Sequence, residues 1–290
     1  MTKKVLVAER LADAGLAVLR DKGYEVDVKL KMPPEELIAT IPAYDALIVR
    51  SATKVTREVI EAGKNLRIIG RAGVGVDNVD VEAATERGVI VCNAPNSNVI
   101  SAAEHTMALL LAAARHIPEA SASMHEGQWR RADFMGSELF GKTLAIFGLG
   151  RVGGLVAERA AAFGMNLIGH DPYCSPERAL HLGVTLYDDM APVLAQADFI
   201  TVHLPRTVST LGMFGADEFA AMKDGVRIVN LARGELVDTE ALKAALASGK
   251  CAAYVTDFPN SETAAMEGVV AIPHLGASTP ESEENCAVMA

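Results

Sequence analysis

A short apolar segment that leads into three closely spaced glycines constrains the fold of this chain more than any other feature. Residues 144–147 are apolar, and the glycines follow in a G-x-G-x-x-G pattern that opens a stretch with helical spacing. A second apolar segment, 165–169, ends shortly before Asp171. The glycines are Gly148, Gly150 and Gly153. A strand, a glycine turn, a helix, a second strand and an acid in this order predict a parallel α/β sheet that binds a dinucleotide at its carboxyl edge.

Each part of this pattern has a chemical reason. Gly148 permits a tight turn, Gly150 lets the backbone approach a pyrophosphate, and Gly153 lets the helix pack closely on the strand. The N–H groups at the start of the helix attract the phosphates. Asp171 can accept hydrogen bonds from a ribose 2′-hydroxyl and would repel a 2′-phosphate. The predicted cofactor is therefore NAD rather than NADP.

Length, charge and cysteine spacing exclude several classes of protein. The 290 residues have room for two domains, and no apolar run approaches the roughly 20 residues that a membrane span needs. Four cysteines without a C-x-x-C pair argue against a zinc site or a disulfide framework, and they suit a reducing cytoplasm. The formal charge of −10 disfavours nucleic acid and anionic membranes. We therefore expect neither of these partners, and no metal.

The chain alternates short β-like segments with stretches of helical spacing, and this rhythm restarts after residue 141. Such alternation predicts parallel sheets covered by helices on both faces, in two α/β units. Residues 101–104 indicate a capping box before a long apolar helix that ends near Ile117. That helix would cross between domains, pack against another subunit, or be an ordinary buried helix. The predicted strands are 4–8, 25–30, 46–50, 67–70, 89–93, 143–147, 165–169, 199–202, 227–231, 252–256 and 269–272.

Three polar residues lie near the ends of predicted strands in the second unit, where sites collect in open α/β sheets. Hydride transfer to NAD needs a cation for the substrate's carboxylate and a group that moves the hydroxyl proton. Arg233 follows a predicted strand and can hold a carboxylate through two hydrogen bonds. His274 follows another, and imidazole exchanges protons near neutrality. Glu262 lies between them in sequence, and a carboxylate bonded to the imidazole would fix its tautomer.

The segments that carry a wider resemblance are 47–56, 70–80, 129–136, 148–153, 230–238 and 273–279. Together with Asp171 they resemble the D-isomer-specific 2-hydroxyacid dehydrogenases over essentially the whole chain. In that family an Arg, a Glu and a His carry catalysis in this order, and Arg233, Glu262 and His274 fall at the matching positions. Many members have a proline directly after the glutamate and a longer loop before the histidine, whereas this chain has Thr263 and a shorter loop.

The resemblance implies two doubly wound parallel-sheet domains, with a Rossmann nucleotide-binding domain inserted into a flavodoxin-like substrate domain. The expected substrate domain is 1–97 plus 281–290, and the expected NAD-binding domain is 98–280. The helix near 100–117 would be a crossover and dimer element, which implies a homo-oligomer formed through the nucleotide-binding domain. A C-terminal regulatory ACT domain, which some members carry, is expected to be absent, and the chain is expected to be truncated.

The resemblance also implies a small anionic substrate, D-3-phosphoglycerate, whose carboxylate and phosphate Arg233 alone cannot neutralise. Two further arginines follow predicted strands of the first domain, and neighbouring hydroxyl and backbone groups would bind the carboxylate. A third arginine, beside the only tryptophan, resembles one that reaches the neighbouring subunit's site in this family. The expected substrate-binding residues are Arg50, Ser51, Arg71, Gly73, Val74 and Arg131.

Further contacts to NAD are implied by position in the family. Backbone N–H groups of Arg151 and Val152 would bind the pyrophosphate, and Asp257 would hydrogen-bond the nicotinamide carboxamide. Leu204, Pro205 and Thr210 would flank the adenosine. Leu231 and Gly276 are the remaining expected contacts.

The implied activity is the oxidation of D-3-phosphoglycerate to 3-phosphohydroxypyruvate with NAD, the first step of serine biosynthesis. Arg233 would hold the carboxylate, His274 would take the C2 hydroxyl proton, and Glu262 would stabilise the imidazolium. Two alternatives stay open. One is another D-2-hydroxyacid, such as D-glycerate or D-lactate. The other is a non-catalytic NAD(H)-sensing protein of the kind found among transcriptional corepressors that share this fold.

Overall fold

The computed structural model describes residues 2–290 and divides them into two α/β units. The first unit contains the residues up to Asn98 together with Ala277–Ala290, and the second contains Val99–Gly276. The strands are β1 (Lys4–Val7), β2 (Glu25–Val28), β3 (Ala46–Val49), β4 (Ile68–Arg71), β5 (Ile90–Asn93), β6 (Thr143–Phe147), β7 (Asn166–His170), β8 (Thr185–Leu186), β9 (Phe199–Val202), β10 (Val226–Asn230), β11 (Cys251–Thr256) and β12 (Val269–Ala271). The helices are α1 (Asp13–Asp21), α2 (Pro34–Thr40), α3 (Arg57–Ala62), α4 (Val81–Glu86), α5 (Val99–Arg115), α6 (Ile117–His125), α7 (Arg151–Ala162), α8 (Pro176–His181), α9 (Met190–Gln196), α10 (Ala216–Ala221), α11 (Thr239–Ala247) and α12 (Pro280–Met289).

Both sheets are parallel throughout. The first has the order β2-β1-β3-β4-β5, and the second has the order β12-β11-β10-β9-β6-β7-β8. In each sheet the chain first adds strands on one side of the first strand and then returns to add the remaining strands on its other side. This is the doubly wound topology. The predicted fold class is therefore confirmed.

Apolar strands buried on both faces explain why the sheets form. Along β6, Leu144 and Ile146 belong to one apolar core, while Ala145 and Phe147 belong to another. Because successive side chains of a strand point to opposite faces, the two cores lie on the two faces of the second sheet. All four residues of β9, at the centre of this sheet, are buried. Such strands have near-continuous apolar runs, which is why they could be predicted.

The last helix belongs to the first unit by close contact. A Cβ added to Gly15 in α1 would lie 2.5 Å from the carbonyl oxygen of Ala287 in α12, so only glycine permits this approach. Cys286 Sγ donates a hydrogen bond to Ser97 Oγ at 2.9 Å. The C-terminal segment of the described chain therefore completes the core of the domain that the N-terminal segment begins.

The predicted strands are all present, with ends that differ by one or two residues, and β8 was missed because it has only two residues. The capping box at Ser101 is wrong, because α5 begins at Val99 and includes Ser101 within the helix. Helix α5 ends at Arg115, where His116 adopts a left-handed φ of 51° and a new helix begins. Among residues 2–290, no helix is long and apolar enough to cross a membrane.

Candidate active site

The glycine turn between β6 and α7 is shaped by close backbone contacts. Gly148 has a φ of +92°, and a Cβ on it would lie 2.8 Å from the carbonyl oxygen of His203. A Cβ on Gly153 would overlap the carbonyl oxygen of Gly148. A Cβ on Gly150, by contrast, would meet no atom within 4 Å, so open space lies over this residue. That space adjoins the start of α7, where N–H groups lack partners within the helix.

Arg151 and Val152 are the first two residues of α7, so their N–H groups belong to this unpaired set. An unobstructed helix start next to a glycine turn fits a pyrophosphate. The predicted contacts of both residues are thus compatible with the geometry and stay predictions.

Asp171 holds the glycine turn through its carboxylate. Its Oδ2 accepts a hydrogen bond from the N–H of Leu149 at 2.7 Å, and its Oδ1 accepts one from the N–H of Tyr173 at 2.9 Å. A carboxylate has about four lone-pair sites, so two remain for the hydroxyls of a ribose. Asp171 would therefore both shape the turn and accept hydrogen bonds from the ribose hydroxyls.

Arg178 is a residue of this site that the sequence did not reveal. From α8, its Nε donates to the carbonyl oxygen of Leu149 and its Nη2 donates to that of Gly150, both at 2.9 Å. The guanidinium therefore binds both carbonyl oxygens and helps to fix the shape of the turn. No motif marks Arg178, because it meets the turn only through the packing of α8.

The loop after β9 contains the residues expected to flank the adenosine. Thr210 Oγ1 donates to the carbonyl oxygen of Pro205 at 2.7 Å and accepts from the N–H of Thr207 at 2.8 Å. The hydroxyl of Thr210 thus closes the loop on itself. Leu204 packs at the edge of the apolar core on this face of the sheet.

A buried asparagine positions the Arg233 loop. Asn230, at the end of β10, donates through Nδ2 to the carbonyl oxygen of Arg233 at 2.9 Å and to the hydroxyl of Tyr254 at 3.0 Å. Its Oδ1 accepts from the N–H of Ala232 at 3.1 Å. Leu231, which lies between Asn230 and Ala232 in sequence, packs against the apolar core. Asn230 therefore fixes the backbone from which Arg233 extends.

Asp257 is an acid buried directly after β11, with 2% of its surface exposed. Its Oδ2 accepts from the N–H of Gly276 at 3.4 Å, whereas its Oδ1 is buried and has no hydrogen-bond partner among residues 2–290. Burial raises the pKa of Asp257 to about 6, although the cation of Arg233 acts against this. An orphaned buried oxygen calls for an explanation. The amide N–H of a nicotinamide would supply the missing donor, so the residues fit NAD.

Phe258 packs against two of the predicted catalytic residues. The guanidinium of Arg233 lies 5.2 Å from the centre of the Phe258 ring, and the imidazole of His274 lies 4.2 Å from it. His274 follows β12 with a left-handed φ of 44°, and its N–H donates to the carbonyl oxygen of Asp257 at 2.9 Å. The second unit therefore brings Arg233, Asp257 and His274 together around one aromatic ring.

Glu262 has a different environment. Its Oε1 forms an ion pair with Lys243 Nζ at 3.2 Å, and about half of its side chain is exposed. Its backbone lies beside a short 3₁₀ turn, Thr263–Ala265, which begins where many family members have proline. The predicted pairing of Glu262 with His274 stays a prediction.

In the first unit, the loop after β3 carries Arg50 and Ser51. The carboxylate of Glu9 accepts hydrogen bonds from the N–H groups of Arg50, Ala52 and Thr53 at 2.8 to 3.2 Å. Arg50 Nη2 pairs with Glu283 Oε1, in α12, at 3.2 Å. The loop is thus held rigidly, with Ser51 at its tip.

The loop after the neighbouring strand, β4, carries Arg71, Gly73 and Val74. The guanidinium of Arg71 folds over Gly73, so a Cβ on this glycine would overlap Arg71 Nη1. Asn93 Nδ2 donates to the carbonyl oxygen of Val74 at 2.6 Å, and the N–H of Ala94 donates to that of Gly73 at 2.9 Å. Because β3 and β4 are paired in parallel, the loop after β3 and the loop after β4 leave the same edge of the first sheet.

The last predicted substrate residue, Arg131, begins an exposed 3₁₀ turn, Arg131–Asp133, in the second unit. Its neighbour Arg130 pairs with Asp133 at 2.7 Å. The role of Arg131 stays a prediction. Within the described part of the chain, no three His, Cys, Asp or Glu side chains are placed to hold a metal ion.

Comparison with known proteins identifies the family. Residues 107–276 match the NAD-binding domain of the D-isomer specific 2-hydroxyacid dehydrogenases. The crystal structure of the TT0316 protein from Thermus thermophilus is similar, with a TM-score of 0.89 and 34% sequence identity over 98% of this chain and 93% of that one. The chain belongs to the D-isomer specific 2-hydroxyacid dehydrogenase family, and its second unit contains that family's NAD-binding domain.

Among named relatives, the D-3-phosphoglycerate dehydrogenase of Archaeoglobus fulgidus is 52% identical over 289 residues, which cover 97% of this chain and 55% of that protein. The D-3-phosphoglycerate dehydrogenase of Mycobacterium tuberculosis is 50% identical over 97% of this chain and 54% of its own length. The chain thus spans about half the length of these relatives.

Proposed function

We propose that the protein oxidises D-3-phosphoglycerate to 3-phosphohydroxypyruvate with NAD, in the cytoplasm and as the first step of serine biosynthesis. The observation that supports this most is the arrangement of Arg233, Asp257 and His274 around Phe258 at the carboxyl edge of the NAD-binding sheet. Similarity to D-3-phosphoglycerate dehydrogenases supports the choice of substrate.

In this proposal Arg233 binds the substrate carboxylate through its guanidinium, whose loop Asn230 fixes. The proton on the C2 hydroxyl passes to a ring nitrogen of His274, and an acid next to the ring stabilises the imidazolium. Glu262 is the candidate for that acid and would have to exchange its contact with Lys243 for one with His274. Bound NAD supplies the acceptor for the hydride that leaves C2.

Arg50, Ser51, Arg71, Gly73 and Val74 are proposed to hold the phosphate and the rest of the substrate. Both of their loops lie at the carboxyl edge of the first sheet, where ligands of open α/β sheets bind. Their cations complement a substrate with two anionic groups, a carboxylate and a phosphate, whereas D-lactate and D-glycerate have only the carboxylate.

The test is NADH formation from D-3-phosphoglycerate, with NAD or NADP and a trap for the ketone, beside D-glycerate and D-lactate. Turnover with NAD that strongly favours the phosphorylated acid is the expected result. His274→Ala should lower kcat by about 10²- to 10⁴-fold, the usual contribution of general acid–base catalysis, with NADH affinity unchanged. Unchanged turnover in this variant would contradict the assigned base. Tight NADH binding without turnover of any of the acids would favour a sensing protein instead.

We also propose a homo-oligomer formed through the second unit. Segment 129–140 exposes three large apolar side chains: Trp129 is 80% exposed, Met135 83% and Phe140 76%. Exposed apolar side chains of this size favour a contact with another protein surface. Trp129→Ser with Met135→Ser should lower the mass measured by sedimentation equilibrium. An unchanged mass would place the contact elsewhere.

A further inference from the structure

A cavity of about 190 Å³ lies at the amino edge of the second sheet. Its walls include residues at the starts of three paired strands: Lys142 precedes β6, Phe199 begins β9 and Val226 begins β10. All strands of this parallel sheet begin at one edge and end at the other, so the cavity and the glycine turn after β6 lie at opposite edges. The cavity is therefore separate from the proposed NAD site, and it lies wholly within the second unit.

Arg227, the second residue of β10, brings a positive charge to the wall of this cavity. Its guanidinium lies 5.8 Å from the centre of the Phe199 ring, and its Nε is buried without a hydrogen-bond partner among residues 2–290. No carboxylate in the described part of the chain is within ion-pair distance of this guanidinium. Burial lowers the pKa of Arg227. A half-buried cation without an acidic partner is costly, and an anion in the cavity would compensate its charge.

The two acids of the cavity wall already have partners. Asp198 accepts a hydrogen bond from the N–H of Thr143 at 2.8 Å through Oδ2 and pairs with Lys223 Nζ at 3.0 Å through Oδ1. Asp224 pairs with Lys250 Nζ at 2.9 Å. Each carboxylate is thus balanced by a lysine of its own, and the acids leave the other cations of the wall uncompensated.

Two more groups of the wall lack a partner. Lys142 is exposed and has no ion-pair partner within residues 2–290. Ser137 Oγ is buried and has no hydrogen-bond partner in the same part of the chain. A guanidinium, an ammonium and a hydroxyl are groups that commonly bind oxyanions. The cavity is smaller than the roughly 300–1,000 Å³ of sites for drug-sized ligands, so it suits a small ion or head group.

We propose that this cavity binds a phosphate group between Arg227 and Lys142, either as inorganic phosphate or as the head of a small phosphate monoester. In this proposal the terminal nitrogens of the guanidinium donate hydrogen bonds to the phosphate, the ammonium of Lys142 adds a second positive charge, and Ser137 contributes its hydroxyl. The proposal concerns the second unit alone and does not depend on the oxidation of D-3-phosphoglycerate.

The probe is inorganic phosphate, titrated calorimetrically into the NADH-saturated protein at an ionic strength that NaCl holds constant. Saturating NADH occupies the nucleotide site, and constant ionic strength keeps the screening of surface charges equal. Hydrogen exchange, measured in the same samples, should show protection of residues 137–143 and 223–227 by phosphate. Protection confined to the loops after β3, β4 and β10 would place the ion in the proposed substrate site instead and would overturn the proposal.

Arg227→Met separates a ligand-binding role from a structural one. Methionine keeps an apolar stem beside Phe199 and removes the uncompensated charge, so Tm in phosphate-free buffer should stay the same or rise. The variant should bind phosphate about tenfold more weakly or worse, and phosphate should no longer raise its Tm as it raises that of the unchanged protein. Lys142→Gln should weaken binding less, because its exposed ammonium is screened. The matched control is Arg67→Met, an exposed arginine directly before β4 in the first sheet.

Glycerol 3-phosphate, titrated in the same way, distinguishes the two forms of the ligand: the site belongs to whichever of the ester and the free ion binds more tightly. Because Ser137 lies in segment 129–140, the titrations use the assembled protein as purified. Three results would overturn the proposal: no binding of either compound, equal weakening in Arg67→Met, or a lower Tm of Arg227→Met in phosphate-free buffer. None of these measurements reads turnover, so a failure of the proposed enzyme activity leaves them interpretable.

Discussion

Gly73→Ala is the sharpest test of the proposed substrate-binding role of the loop after β4. Gly73 has a φ of +153°, and a Cβ there would overlap Arg71 Nη1 and lie 2.7 Å from Arg71 Cζ. Because the obstructing atoms are the end of a flexible side chain, the protein should fold while the guanidinium moves away. The backbone conformation itself should cost about 1–3 kcal/mol of stability.

The functional loss follows from the displaced arginine. A hydrogen bond from a charged donor contributes about 1.5–3 kcal/mol. If Arg71 binds the substrate phosphate as proposed, kcat/KM for D-3-phosphoglycerate should fall by about 10- to 150-fold. Activity toward D-glycerate, which has the carboxylate but lacks the phosphate, should fall much less. NADH affinity, measured by fluorescence titration, should stay the same because the NAD-binding domain is the other unit.

Gly23→Ala is the matched control. Gly23 also lies in the first unit, with a φ of +82°, but a Cβ on it would meet no atom within 4 Å. The control therefore carries a comparable backbone penalty without moving an arginine. Equal kcat/KM values for the two variants, or equal losses with both acids, would refute the reasoning that links Gly73 to Arg71 and Arg71 to phosphate.

Three further predictions concern the second unit. Asp171→Ala should raise kcat/KM with NADP relative to NAD, because a carboxylate repels a 2′-phosphate; a variant that still rejects NADP would mean that another group reads the ribose. Phe258→Ala should lower kcat more than it weakens NADH binding, since the ring packs against both Arg233 and His274, and Phe258→Leu should restore part of the loss. Burial raises the pKa of Asp257 from 3.8 to about 6, so its protonated form favours folding, and stability should fall as the pH rises from about 4 through about 6. Asp257→Asn should remove that part of the slope of Tm against pH, and an unchanged slope would mean that other groups cause it.

The sequence predicted those parts of the fold that depend on residues close together along the chain. Strands buried on both faces have continuous apolar runs, so all but β8 could be located, and the glycine pattern identified the turn between β6 and α7. The start of α5 was misplaced because Ser101 and Glu104 have the spacing of a capping box, yet the helix already begins at Val99. A capping interaction contributes only about 1 kcal/mol, so its sequence spacing does not by itself fix where a helix begins.

The contacts that support the site were not predictable in the same way. Arg178 binds two carbonyls of the glycine turn from a helix that lies beyond the next strand. Phe258 lies next to Asp257 in sequence, but its contacts with both Arg233 and His274 depend on the pairing of β10, β11 and β12. Such contacts arise between segments that are distant along the chain, so no spacing encodes them.

The carboxyl edge of the second sheet contains features that folding alone would disfavour. His274 is held at a left-handed φ, and the Oδ1 of Asp257 is buried without a hydrogen-bond partner within residues 2–290. Both are costly, and an asparagine or an apolar residue at position 257 would avoid a buried carboxylate. The surrounding all-parallel strands are buried on both faces and provide a rigid support that tolerates this cost. Sequences break local rules mainly where a ligand completes the missing contacts. We therefore propose that a donor on bound NAD, rather than a contribution to folding, accounts for the buried unpaired oxygen of Asp257.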